Sequence, residues 1–206
     1  VSSSGVVASD TTGVGSARAA LSASGYGGDK AIFGFGSIVD YTSISNLVSN
    51  AGVVATDTTG VGLARNSLAG AGFGGDKAIF GFGFNDSKSN ITNLVSNAGV
   101  VATDTTGVGT ANGGRAASGY GGDKAIFGFG HDGSYSSSTN LVSNTGVVAT
   151  DTTGVGTTRT NLAAAGFGGG KAIFGFGYNK ISYALNTYNI TNLVSNTGVV
   201  ASDTTG

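Results

Sequence analysis

The 206-residue sequence has no Cys, Pro, Met, Trp or Glu, a single His, and charged side chains at only 10% of its positions. Each absence removes a class of function. Without Cys there is no disulfide, no thiolate metal site and no thiol nucleophile, and the redox compartment is left open. A net charge of −1 excludes the clustered Lys and Arg that a nucleic-acid surface needs. No run approaches the roughly 18 to 20 apolar residues of a membrane-spanning helix, so no membrane span is expected. No basic stretch precedes an apolar segment at the start, so no signal peptide is read there. A chain that opens on Val1 and contains no Met reads as a processed product, an excised piece or an incompletely recorded sequence. Hydrophobic residues still make up 39% of the chain, enough to collapse around a core at this low charge.

What is present is a repeat. KAIFGFG begins at Lys30, Lys77, Lys124 and Lys171, and DTTG begins at Asp10, Asp57, Asp104 and Asp151, always 47 residues apart. DTTG returns at Asp203, 52 residues on, so the last unit carries a five-residue insertion. The chain divides into a partial unit, 1–13, and four full units at 14–60, 61–107, 108–154 and 155–206. Each unit offers four short β-prone segments rich in Val, Ile, Phe and Thr, separated by Gly and Asn clusters. In unit two these are Ser67–Ala71, Lys77–Gly83, Thr92–Ser96 and Gly99–Asp104. Alternation in the second segment puts Ala78, Phe80 and Phe82 on one face.

Four strands in a unit of this length match one blade of a β-propeller, so the expected fold is all-β, a propeller of four-stranded antiparallel blades. Phe33 and Phe35 would be knobs against the next blade, and Gly34 and Gly36 would make room for them. The two ends of the chain duplicate each other: Val1–Gly13 repeats what Asn192–Gly206 already supplies. A four-bladed ring closed by this chain alone would have a strand to spare. The expectation is a larger ring of five or more blades, completed by further sequence or by another copy, hence a homo-oligomer.

The order Arg18, small residues, Tyr26-Gly27-Gly28, Ala31-Ile32-Phe33 and then Gly resembles a kelch-type blade and recurs at Arg65 and Arg159. It differs from that pattern in Gly34-Phe35-Gly36 standing for a double glycine, in the missing Trp, and in Asn112 with Arg115 replacing the Arg of unit three. The wording NLVSNTGVVATDTTGVG…KAIFGFG is similar to repeats in tail-associated proteins of marine tailed phages. That resemblance implies a virion or extracellular setting, with other virion or assembly subunits as partners.

Charges repeated once per unit read as architecture. The Asp of DTTG suits an Asx-type turn onto the amides that follow it. A cation held by Asp29, Asp76 and Asp123 falls short of the six to eight oxygen ligands calcium takes, and Gly170 replaces the fourth Asp. No metal and no cofactor are therefore expected. His131 lies beside Asp132 in a Gly/Ser-rich loop, which does not hold a nucleophile, base and oxyanion site in register, so no enzyme is expected.

The segments after FGFG differ completely between units while the strand motifs barely change. They carry Tyr41, Phe84, His131, Tyr135, Tyr178, Tyr183 and Tyr188 among Asn, Ser and Asp. Aromatics mixed with small polar groups suit a recognition surface. The first reading is a non-catalytic adhesion module whose variable loops contact a glycan or a host or other surface protein. The second is a purely structural spacer or decoration module of a virion or other assembly.

Overall fold

A computed structural model describes all residues except Ser2, Ser3, Ala8, Asp10, Thr11, Tyr183 and Gly206. The described residues form an all-β molecule without helix, built from small antiparallel sheets. Each unit contributes a sheet whose first three strands follow chain order: Ser22–Tyr26, Lys30–Gly34 and Ser45–Val48 in unit one, and Ala69–Phe73, Lys77–Gly81 and Thr92–Val95 in unit two. A two-Gly turn joins the first pair, with Gly27 and Gly28 at φ of 62° and 82°, a conformation that favours Gly. No barrel and no closed ring of sheets forms among the described residues.

The fourth expected strand is not continuous. In unit one, residues 53–58 pair with the third strand at two separate bridges, Val48 with Val54 and Ser45 with Thr58. The Asn46 side chain sits between them, its amide donating to Ala55 O at 3.0 Å and to Asp57 Oδ1 at 2.9 Å. A buried side chain therefore replaces part of the backbone ladder. The same arrangement recurs at Asn93, Asn140 and Asn192, each fully buried. In unit four the segment also includes a short strand, Thr204–Thr205.

Consecutive sheets stack face to face, and the apolar cores lie between units. Tyr26, Ile32 and Phe35 of unit one pack with Leu68, Ala78, Phe80 and Val95 of unit two, and equivalent clusters join units two to three and three to four. The expectation that both phenylalanines of KAIFGFG share a face is corrected here. Phe80 meets Phe35 of the preceding unit, ring centroids 5.6 Å apart, whereas Phe82 meets Phe127 of the following unit at 5.1 Å. The cause is a φ of 64° at Phe82, repeated at Phe35, Phe129 and Phe176, which breaks the alternation and turns the second ring to the opposite face. Gly34 does make room as expected: a Cβ there would come 3.0 Å from the Phe80 ring. Gly36 serves its own unit, facing Ala19 O and Leu21. Three backbone hydrogen bonds at equivalent positions also cross every junction; between units one and two they run from Gly27 N to Asp76 O, Gly36 N to Arg65 O and Ser67 N to Ala20 O.

The DTTG aspartates close each unit on itself instead of forming the expected turns. Asp57 accepts from the Ser16 N–H at 2.9 Å, the Ser16 hydroxyl at 2.7 Å and the Asn46 amide, tying the end of unit one to its beginning. Asp10 lies outside the described residues. The Arg of each unit completes this clamp. Arg65, fully buried, donates to Phe82 O, Leu63 O and Asn93 Oδ1, and its guanidinium lies 4.4 Å from the centre of the Phe35 ring. The displaced Arg115 of unit three reaches the same place, 4.2 Å over Phe82 with Nη1 donating to Asn140 Oδ1 at 2.7 Å.

The clamp makes stability pH-dependent. Hydrogen bonds from the Ser16 hydroxyl and the Asn46 amide hold Asp57 below the ordinary carboxylate range. At Asp151 and Asp203 partial burial pushes upward, but the Thr110 or Thr157 hydroxyl and the Asn140 or Asn192 amide outweigh it, and both titrate low. A carboxylate with a depressed folded pKa contributes its stabilisation fully above its unfolded pKa, about 4, and loses it as pH falls through the folded value. The melting temperature should therefore be level from neutral pH to about 5 and fall below about 4. The difference between wild type and Asp151→Asn, followed by circular dichroism, should shrink over that fall. A constant difference down to pH 2 would contradict it.

Candidate ligand-binding groove

The variable segments are short hairpins held on fixed bases. Their first residues, Ser37, Phe84, His131 and Tyr178, occupy equivalent positions, and each exchanges two backbone hydrogen bonds with the segment before the first strand. For Phe84 these are Asn66 N to Phe84 O at 3.0 Å and Phe84 N to Asn66 O at 2.8 Å; Ala19, Gly113 and Thr160 do the same for the others. The backbone site is thus constant while its side chain changes from Ser to Phe, His and Tyr.

Beyond these bases the hairpins differ. Unit one has a single bridge from Ser37 to Tyr41, unit two pairs Phe84–Asn85 with Ser87–Lys88, and unit four pairs Tyr178–Ile181 with Ala184–Thr187. In unit three the second and third strands run on into the hairpin, Lys124–His131 against Tyr135–Val142, with a register shift between Gly128 and Gly130 that accommodates Phe129.

A groove of about 470 Å³ runs across three hairpins, lined by Phe84 and Lys88 of unit two, His131 and Tyr135 of unit three, and Tyr178 and Lys180 of unit four, together with Asn66, Asn161 and Thr160. The His131 and Tyr135 rings meet edge to face, centroids 4.8 Å apart. Lys88 Nζ lies 4.9 Å from the centre of the Phe84 ring, whose other neighbour is Tyr41 at 6.0 Å. Of the residues singled out from sequence, Phe84, His131, Tyr135 and Tyr178 come together here, and Tyr41 supports them from unit one. Tyr188 does not line the groove; its hydroxyl donates to Asn179 Oδ1 at 3.0 Å. Tyr183 lies outside the described residues.

Sequence reasoning passed over Lys88 and Lys180, although they are the only lysines outside KAIFGFG. It also passed over Asn66 and Asn161, which sit before the first strand at positions that differ in every unit: Ala19, Asn66, Gly113 and Thr160 at one, Ala20, Ser67, Gly114 and Asn161 at the next. The Asp132 carboxylate accepts the Ser134 N–H at 2.8 Å and is committed to its own turn.

The opposite end of the sheets carries a second groove. The turn glycines and Lys30, Lys77, Lys124 and Lys171 of all four units line it. Three of these lysines stand 3.3–3.5 Å from the preceding Asp, and the fourth follows Gly170. Asp29 and Asp76 also accept the Asn50 and Asn97 amides, each at 3.0 Å. Among the described residues no group of three His, Cys, Asp or Glu converges, and Asp29, Asp76 and Asp123 each pair with the Lys that follows.

No protein-family model matches the chain, and no curated protein matches it.

Proposed function

We propose that the chain is a non-catalytic glycan-binding module that presents its variable hairpins from an arc of propeller-type blades, in a virion or extracellular setting. One observation carries this reading: equivalent backbone positions in three successive units place Phe84, His131 and Tyr178 along one groove. Constant backbone with changing side chains is how a recognition surface varies without disturbing its scaffold. Aromatic rings give sugar faces something to stack on, and the Asn66, Asn161 and Lys180 side chains suit hydroxyl or carboxylate groups along the same ligand. The blade reading is supported by the first strands, where Gly25, Gly72, Gly119 and Gly166 follow one another closely, and by the single groove their turns line.

A glycan array followed by titration of its best ligand tests this. Tyr135→Ala combined with Tyr178→Ala should weaken binding at least tenfold, about 1.4 kcal/mol or more, because stacking of this kind contributes about 1 kcal/mol per ring. The melting temperature should be unchanged. Absence of any glycan ligand, or binding indifferent to these substitutions, would favour the spacer reading.

A further inference from the structure

The two outer faces of the stack are unlike each other, and each carries half of the junction that joins neighbouring units. On the forward face of unit four, Phe176 is 60% exposed, whereas its counterparts Phe35, Phe82 and Phe129 are buried against the next unit. Phe167 and Leu193 are 43% and 44% exposed. Their counterparts Tyr26 and Leu47 press on Gly99 of unit two, at 3.0 and 2.9 Å from where its Cβ would stand. Gly146 and Gly198 receive the same pair from the preceding unit.

The rear face of unit one carries the matching vacancies. None of the described residues lies within 4 Å of a Cβ built on Gly52, the counterpart of Gly99. Phe33 is 37% exposed where Phe80, Phe127 and Phe174 are fully buried by a preceding ring. Among the described residues Arg18 has no aromatic ring above it and its Nη2 no hydrogen-bond partner, although Arg65, Arg115 and Arg159 each cover the Phe of the unit before. Arg18, Phe33 and Gly52 line one open groove of about 540 Å³.

We infer that this groove binds the unit-four face of a second copy of the chain, head to tail. Phe176 would lie between Arg18 and Phe33 of that copy, and Phe167 and Leu193 would close on its Gly52. Gly177 N, Gly168 N and the other copy's Ala20 N would donate the three backbone hydrogen bonds, to Arg18 O, Asp29 O and Asn161 O, that each internal junction already makes at equivalent positions. The occupant is a copy of this chain because every element of the fit is one its own junctions use three times. Such a heterologous contact adds copies in one direction, giving a ring or a filament according to the rotation per unit.

The experiment uses two variants, each altering one face at a partly exposed residue: Phe176→Asp and Phe33→Glu. Wild type should show, by light scattering and sedimentation, a mass at least twice the 19.9 kDa of the chain, rising with concentration. Either variant alone should remain at the single-chain mass with an unchanged circular dichroism spectrum. An equimolar mixture should form a 1:1 pair, because each variant retains the face the other has lost, and should grow no further. A wild type that stays monomeric at all concentrations would overturn the proposal and leave these faces to further repeats or to the chain's own first residues. Association that both variants retain would overturn it as well. Neither readout involves a glycan, so the outcome is independent of the proposed ligand.

Discussion

Replacing Arg65 with alanine is expected to lower stability by about 3–5 kcal/mol, a fall of roughly 10 °C or more in melting temperature for a chain of this size. The substitution removes hydrogen bonds to Phe82 O at 2.8 Å, Leu63 O at 3.1 Å and Asn93 Oδ1 at 2.8 Å. It also empties the space over Phe35, so the second unit loses its clamp and its grip on the first at once. Burying this guanidinium has a cost, seen in a pKa that desolvation lowers to about 10. A well-packed apolar side chain could therefore recover part of the loss. Arg65→Met, which keeps volume, should be intermediate, and the remaining deficit measures the unpaired acceptors. Arg65→Lys should rescue little, since an ammonium cannot span three separated acceptors or lie flat on a ring. Affinity for any glycan ligand should stay within about twofold in the folded protein, because Arg65 does not line the groove. Loss of ligand at an unchanged melting temperature would show that the arginine belongs to the binding site.

The second large effect concerns a single methyl group. A Cβ at Gly81 would stand 2.9 Å from the Phe127 ring and 3.0 Å from the Thr92 methyl, and one at Gly128 would stand 2.7 Å from Phe174. Gly81→Ala and Gly128→Ala should each destabilise by about 1–3 kcal/mol by forcing adjacent sheets apart. At the equivalent Gly175 the nearest atom is Thr191 Cγ2 at 3.4 Å, because no ring of the described residues packs on that face. Gly175→Ala should leave the isolated chain unchanged or stabilise it by a few tenths of a kcal/mol through a stiffer unfolded chain. Thermal melts of the three variants at low concentration check this directly. Equal effects at all three positions would mean that these glycines serve backbone conformation and not the packing of one unit on another.

The all-β character and the 47-residue unit were legible because both are written in local pattern: period-two apolar runs, Gly punctuation and verbatim repetition. So was the variable surface, since Phe84, His131 and Tyr178 follow a constant FGFG that marks where each hairpin must leave its sheet. The direction in which Phe82 points was not legible. Alternation predicts its face only while the backbone stays extended, and a φ of 64° at Phe82 turns the ring toward Phe127, which lies 45 residues away. Asn46, Asn93, Asn140 and Asn192 stand in the third segment of each unit with no local pattern to mark them. Their amides become structural only once the fourth segment lies alongside and needs a substitute for its ladder bonds. Arg115 illustrates the same division. Three residues out of place in the sequence, it still reaches the ring of Phe82, because a long side chain answers to the position of its partners in space and not to its number in the chain. The sequence by itself determined the repeat, the strand type and the place of variation, all of which depend on neighbours a few residues apart. Which side chains meet across units, and which faces are left open at the two ends, was decided only by tertiary structure, because those contacts join residues about one repeat apart.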